Sequence, residues 1–323
     1  MPTIKEVADL AGVSVGTVSH VITGTVPVSH SLKEKVNAAI RTLDYHPNHV
    51  ARSLKTSRTR TLGIIVPDMT ISFYPQVIHG AETAARERGY SLIAVNSLES
   101  ADRQSELISL MRSQQVEGIL LVIASAPMPV GHMSRLVETG IPLVCLDRVP
   151  DDIPVDSVSV DDEAAAKMGT DHLRERGYSK IAIVTGPLHL RNEQRRLEGY
   201  RQSLRGEGIV WEESMCRERL RDASTRPDAL LCTNGPTALS ALRGMRDCGL
   251  KTPDDIGFVT FDELTVEDLF TPAITTIVQP AYEIGSRAAG ILLDRISESP
   301  RVEGFRTVRL PAALKIRESS RSV

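Results

Sequence analysis

The sequence predicts an N-terminal all-α helix-turn-helix head followed by an α/β body of two doubly wound subdomains. Three observations carry that expectation. The first 54 residues hold short amphipathic stretches punctuated by capping residues. From Leu62 onward short apolar runs alternate with helical patterns, and the alternation occurs twice. The charge also divides: residues 1–60 carry eight Lys/Arg against four Asp/Glu, while the rest carries 30 against 37, together giving the formal net charge of −3. A basic head on an acidic body suits phosphate contact by one end only.

In the head, Thr3 and Glu6 have capping-box spacing, so a helix is expected from Ile4 with Ile4, Val7, Ala8 and Ala11 on its buried face. Gly12 ends it. Ser14 is placed to cap a second helix, Val15 to Ile22, which turns Val18, Val21 and Ile22 inward and Val15, Gly16 and His20 outward. Gly24 is expected to close it. Two helices joined across Gly12-Val13-Ser14 form a helix-turn-helix, whose second helix enters the DNA major groove by its N-terminal residues. Ser31 and Glu34 suggest another capping box ahead of the stripe Leu32, Val36, Ile40, Leu43, a third helix behind the first two. Lys55 to Thr61 reads as a polar, basic connector.

In the body, the runs Gly63–Val66, Leu92–Val95, Gly118–Val122 and Pro142–Leu146 alternate with helical patterns at Val77–Arg88, Arg103–Gln114 and Met133–Thr139. A second series follows, Val158–Val160, Ile181–Val184, Ala229–Cys232 and Gly257–Phe261, with helices at Ala164–Arg176, Glu193–Leu204 and Thr237–Cys248. Continuous apolar runs bounded by helices indicate parallel strands buried on both faces. Ligands of such sheets bind at the carboxyl ends of the strands, and a cleft between two of them is the natural site. Polar residues directly after strands are therefore candidates: Asp68, Asp147, Arg148, Asn234 and Asp262. Carboxylates and guanidinium forks suit sugar hydroxyls.

Other classes are set aside. With 323 residues, 41% hydrophobic and 24% charged, the composition is that of an ordinary globular chain. The N-terminus lacks the apolar run of a signal peptide and no stretch approaches a membrane span, so a cytoplasmic protein with no membrane partner is expected. Cys145, Cys216, Cys232 and Cys248 show no Cys-x-x-Cys pairing, and neither metal, disulfide nor cofactor is assigned. Gly12-Val13-Ser14-Val15-Gly16 matches the nucleophile elbow of hydrolases, but that motif needs a strand before its serine and here a helix precedes it. Neither a dinucleotide fingerprint nor a P-loop is present, so the sheets are expected to bind and not to turn over a substrate.

Thr-Ile-Lys-Glu-Val-Ala (3–8), Ala-Gly-Val-Ser (11–14), Thr-Val-Ser (17–19) and Tyr-His-Pro-Asn-His-Val-Ala-Arg-Ser-Leu (45–54) resemble the LacI/GalR family of bacterial transcription regulators. The resemblance runs over nearly the whole chain. It implies a head at 1–46, a hinge helix and linker at 47–60, and a periplasmic-binding-protein-like body at 61–323. In that body the chain would return to the first subdomain near Gln279 and to the second near Pro311, giving subdomains of about 61–158 with 279–310 and 159–278 with 311–323. It further implies a homodimer on a pseudo-palindromic operator, with Thr3, Ser14, Val15, Gly16, Thr17, Ser19, His20, Asn48, Ala51, Leu54 and Lys55 at the DNA. Leu54 would wedge into a minor-groove step. Phe73, Asp147, Arg148, Arg196, Asn234 and Asp262 would face a small-molecule effector, a sugar or sugar derivative.

Four departures from the family pattern are visible. His20 stands where a long basic residue is usual, Gly16 where a bulkier one is common, and Gly235 where an Asp usually follows Asn234. The Gly208–Pro227 segment is short by roughly one element, where the family often supplies an aromatic stacking on the effector; Trp211 lies near but not on that position. The expected function is a ligand-responsive regulator, a repressor; the alternative is a sugar-binding protein without gene regulation. No heptad tail follows Leu314–Arg317, so no device for tetramers is expected.

Overall fold

The computed structural model describes residues 2–23, 26–45, 58–125, 140–149, 153–264, 271–297 and 304–321. The chain divides into two compact units, Met1–Thr59 and Arg60–Val323.

The head consists of α1 (Ile4–Ala11), α2 (Val15–Thr23) and α3 (His30–Thr42). The expected capping box forms. The Thr3 N–H donates to Glu6 at 2.6 Å and the Glu6 N–H donates back to Thr3 Oγ1 at 3.3 Å. Gly12 ends α1 at a φ of 64°, a left-handed turn that glycine adopts without strain. Ser14 Oγ accepts the Thr17 N–H at 3.1 Å. Val7, Ala8, Val18, Val36, Ala39 and Tyr45 make the core, against which Ile4, Val21, Ile22 and Ile40 pack. The second capping box does not form: α3 already starts at His30, so Ser31 lies inside its first turn, and Glu34 approaches His30 at 3.6 Å instead. Gly24, the 48–54 hinge segment and the Met133–Thr139 helix lie outside the described residues.

The body is built on two six-stranded sheets. The first has the order β11-β5-β4-β3-β1-β2 and the second β12-β10-β9-β8-β6-β7. Their strands are β1 (Thr61–Val66), β2 (Ser91–Asn96), β3 (Gly118–Leu121), β4 (Leu143–Leu146), β5 (Asp156–Val160), β6 (Ile181–Thr185), β7 (Ile209–Glu212), β8 (Ala229–Cys232), β9 (Gly257–Phe261), β10 (Thr275–Val278), β11 (Thr307–Leu310) and β12 (Ala313–Lys315). All neighbours run parallel except β12, which is antiparallel to β10. The helices are α4 (Phe73–Glu87), α5 (Ala101–Ser113), α6 (Asp162–Glu175), α7 (Arg191–Leu204), α8 (Cys216–Arg219), α9 (Gly235–Asp247) and α10 (Ala281–Ser297).

β1, β3, β4, β5, β6, β8 and β9 are buried on both faces, and all but β5 are mainly apolar; β5 alternates Val158 and Val160 with the buried Ser157 and Ser159. β2 is not. It is an edge strand paired only with β1, and most of its residues are exposed or half-buried. The Val158–Val160 run, read as opening the second series, belongs to the first sheet: β5 pairs with β4, and the chain leaves for the second sheet after it. β7, β10, β11, β12 and α10 carried no sequence expectation. Trp211, on β7, is buried in the core under the second sheet beside Cys216 and Cys232. α4 starts four residues before the expected Val77, with Pro75 in the first turn, where its missing N–H costs nothing.

α10 leaves the second sheet after β10 and packs on α4, β3 and β4 of the first. The α4–α10 contact is so close that a Cβ on Gly80 would lie 2.0 Å from Tyr282 O, and one on Gly285 1.9 Å from Val77 O. Backbone cannot retract as a flexible side chain can. Gly285→Ala is expected to cost about 1–3 kcal/mol or more by forcing the helices apart, measured as a lower urea midpoint; an unchanged midpoint would refute the contact.

Candidate functional site

On the head, α2 sorts its residues by side. Val18 is buried and Val21 and Ile22 pack inward, while Val15, Gly16 and His20 are exposed and Ser19 is half-buried. Spacing of 15/19 and 16/20 puts these four on one helix face. A Cβ on Gly16 would meet only Ser14 Oγ at 3.6 Å, so no packing demands glycine there. Thr3, Ser14 and Thr17 serve the helix N-termini as caps or hydrogen-bond partners of caps. Lys5, Lys33, Lys35 and Arg41 are exposed around the unit. Asn48, Ala51, Leu54 and Lys55 lie outside the described residues.

In the body, the strand ends of both sheets converge on a cavity of about 170 Å³. That is below the roughly 300–1,000 Å³ of sites for drug-sized molecules and suits a small polar one. All six residues expected at the effector line it: Phe73, Asp147, Arg148, Arg196, Asn234 and Asp262. Asp68 does not. It accepts the Thr70 N–H and hydroxyl at 2.9 and 2.8 Å, a local turn that uses the side chain up.

Arg196 organises the second-sheet side. Only 2% exposed, it donates from Nε to Asp162 Oδ1 at 2.8 Å, from Nη1 to the Thr233 carbonyl and from Nη2 to Gln279 Oε1 at 3.3 Å, with its guanidinium 4.3 Å from the Phe261 ring centroid. Gln279 Nε2 in turn donates to Asp262 Oδ1 at 2.7 Å. Asn234 caps α9 through Oδ1 and donates from Nδ2 to Glu193 at 2.9 Å. Both ends of its amide are thus engaged by protein, and it positions Glu193. On the first-sheet side, Tyr74 donates its hydroxyl to Asp147 Oδ2 at 3.2 Å, and Arg148 forks onto Glu99 at 2.7 and 2.9 Å. Arg148 therefore pairs inside the cleft with Glu99, a residue sequence reasoning missed. Phe73 and Tyr74 stack edge to face at 5.2 Å and give an apolar wall.

Tyr74, Glu99, Asn192, Glu193 and Gln279 were not foreseen. Gln279 follows β10 directly, so the strand-end rule reaches it once that strand is recognised; Glu99 lies three residues beyond β2, too far for a rule that takes the residue directly after a strand. Tyr74, Asn192 and Glu193 lie in first turns of helices and carry no such signal. Two atoms in the cavity wall are buried without a hydrogen-bond partner, Arg148 Nε and Asn192 Oδ1. Among the described residues Asp147 Oδ1 and Asp262 Oδ2 also have no protein donor. Across the rim, Ser72 donates to the Glu263 carbonyl at 2.6 Å and His189 contacts the Ser125 carbonyl, linking loops of the two sheets.

Asp147 and Asp262 follow corresponding strands, third from the crossover edge of each sheet, both at positive φ, 58° and 65°. Asp tolerates that region better than most residues, and such strain collects at ligand sites. Burial raises the Asp147 carboxyl against the pull of Arg196 and Arg148. Burial likewise pushes Asp262 up to about 6 and Asp162 to about 7, although Arg196 opposes both. Burial also pushes Glu99 upward, but the Arg148 fork and the Ser125 N–H outweigh it and hold it low. A carboxyl raised on folding binds its proton more tightly in the native state, so its contribution is present at low pH and lost as pH rises through about 6. Relative to Asp262→Asn, which cannot titrate, the wild type should lose about 1–2 kcal/mol of stability between pH 5 and 7.5. Urea titrations at both values check this, and parallel pH profiles would refute it.

Comparison with known proteins agrees with both parts. The family "Periplasmic binding proteins and sugar binding domain of LacI family" matches residues 59–318, and "Bacterial regulatory proteins, lacI family" matches residues 3–48. Over 311 residues the chain is 34% identical to the HTH-type transcriptional repressor PurR of Vibrio atlanticus (strain LGP32), covering 92% of this chain and 93% of that one. It is 32% identical to the ribose operon repressor of Escherichia coli (strain K12), covering 92% and 94%. Among solved structures, the lac repressor dimer bound to operator and the anti-inducer ONPF aligns with a TM-score of 0.84 at 25% identity over 99% of each chain. The complex of the transcriptional regulator CelR with cellobiose aligns at 0.72 and 30% identity, covering 99% and 100%. With a helix-turn-helix head, a two-sheet body and relatives matched along nearly their whole length, the chain belongs to the LacI family of bacterial transcriptional regulators.

Proposed function

We propose that this chain is a homodimeric, cytoplasmic repressor that binds a pseudo-palindromic operator and responds to a sugar or sugar derivative held in the body cleft. The observation that carries the reading is the pairing, in one chain, of a solvent-facing recognition helix on a basic head with a small polar cleft whose wall keeps unengaged acceptors. Residues 1–46 are the DNA-binding domain and 47–60 the hinge and linker. Val15, Gly16, Ser19 and His20 face the major groove, with Thr3, Ser14, Thr17, Asn48, Ala51 and Lys55 as further DNA contacts. Leu54 is the apolar wedge. A neutral imidazole offers one donor and one acceptor with less reach than arginine, so the outer base pairs of the operator should differ from those read by a long basic side chain.

In the cleft, Asp147 from the first sheet and Asp262 from the second accept effector hydroxyls, Phe73 packs against its apolar face, and Arg148 and Arg196 fix the carboxylates around it. The reaction class is binding with linkage: the effector favours one arrangement of the two subdomains, and operator affinity changes by the same coupling, about 1–3 kcal/mol in such systems. No helix among the described residues is long and apolar enough to cross a membrane.

Mobility-shift titration of the chain's own upstream DNA tests the reading. Specific binding should weaken steeply between 50 and 200 mM salt, and a sugar panel should contain a compound that shifts it. Leu54→Ala should weaken specific binding by roughly 1–3 kcal/mol while leaving thermal stabilisation by the effector intact, since unstacking a base step is repaid by apolar contact. Unaltered affinity and bending in that variant would remove Leu54 from the wedge role.

A further inference from the structure

A second, smaller cavity adjoins the cleft and shares Asp147 and Asn192 with it as common wall. Its far wall is the crossover edge of the first sheet. Ser157 and Ser159 lie two apart on β5, and Thr307 and Arg309 two apart on β11; the register pairs Thr307 with Ser157 and Arg309 with Ser159. Residues two apart on a strand share a face. The four side chains therefore form a square of three hydroxyls and a guanidinium. The near wall is the start of α7, which contributes Arg191 and Arg195, one turn apart on one face.

Three features make this a built site. Ser157 and Ser159 are only 2% and 5% exposed, yet neither hydroxyl has a hydrogen bond among the described residues. Asn192, 6% exposed, lines the cavity with its Oδ1 buried and unpartnered. α7 begins without a side-chain cap, so the positive end of its dipole meets the same wall. Asp147 and Asp162 close the inner end, Asp162 being engaged by Arg196. The exposed Thr307 and Arg309 mark the outer end, with the buried Ser157 and Ser159 beside them on β5. The enclosed room is about 30 Å³, so a guest larger than one or two waters projects through that mouth.

We propose that this cavity is an oxyanion site that takes a phosphate group between β5/β11 and α7. Guanidinium forks and hydroxyls are the donors that phosphate geometry requires, and Asn192 can accept from a protonated phosphate oxygen. β5 and β11 belong to the first sheet and α7 to the second subdomain, so the bound group links the two subdomains beside the strands at which the chain crosses. The phosphate arrives either as the free ion or as a substituent of a molecule whose hydroxyls lie beyond the shared Asp147–Asn192 wall.

The test is thermal unfolding of the full chain against inorganic phosphate, with chloride balancing ionic strength, since a ligand of the folded state raises Tm. Wild type should show a saturable rise above the chloride control. Arg309→Gln, altering an exposed side chain, should weaken apparent affinity at least tenfold, and Ser159→Ala should weaken it in the same sense. Ribose and ribose 5-phosphate give the second arm. If ribose 5-phosphate binds more tightly than inorganic phosphate and loses that advantage in Arg309→Gln, the group is delivered on the effector; if it binds no more tightly, the free ion is the guest. No rise beyond chloride, or equal rises in wild type and Arg309→Gln, would overturn the proposal.

Discussion

The buried guanidinium of Arg196 is the constraint on which the body depends. A guanidinium cannot shed its charge, so burial at 2% exposure requires acceptors on several sides. Those acceptors come from four places far apart in sequence: Asp162 where the chain enters the second sheet, the Thr233 carbonyl at the end of β8, Gln279 at the end of β10, and the Phe261 ring at the end of β9. One side chain thus fixes the strand ends of the second sheet relative to the first crossing point. Removing it would leave Asp162 buried without its counter-charge, and the loss would fall on cleft geometry and fold together.

Much of this arrangement was legible in the sequence because two periodicities report it directly. Capping spacing at Thr3/Glu6 and Ser14 located the first two helices, and apolar runs located the central strands, whose burial on both faces leaves no room for polar residues. The strand-end rule then put Asp147, Arg148, Asn234 and Asp262 at one cavity. It failed at Asp68, where a turn two residues long satisfied the carboxylate locally. The expectation of burial on both faces failed at β2, because an edge strand can be apolar in sequence and still exposed within one chain. Ser31 does not cap because a capping box is only a spacing, and here the spacing falls within the first turn of a helix that starts earlier.

Residues that sequence reasoning missed share a physical reason. Glu99, Glu193 and Tyr74 act through partners: Arg148, the Gly186 and Thr233 donors with Asn234, and Asp147. Apart from Glu193–Gly186, seven residues apart, these pairings span 40 to 73 residues and leave no local pattern. The same holds for the crossover strands β5 and β11, whose Ser157, Ser159, Thr307 and Arg309 look like ordinary polar residues until register aligns them.

The distribution of engaged and unengaged atoms bears on how the cleft would exert the proposed control. Arg148, Arg196 and Asn234 spend most of their hydrogen-bonding capacity on the protein, which makes the wall rigid. What remains for a ligand is chiefly one carboxylate oxygen from Asp147 and one from Asp262, and these belong to different sheets. A molecule that donates to both at once distinguishes one separation of the subdomains from another, whereas a molecule that reaches only one does not. Moving a two-state equilibrium from 1:99 to 99:1 needs a differential affinity of about 5.5 kcal/mol. Two or three hydrogen bonds to charged groups, at about 1.5–3 kcal/mol each, cover that range only if they are made in one state and lost in the other. If the effector bridges the two unengaged aspartate oxygens, as proposed, control by a small ligand follows from their placement on opposite sides of the cleft.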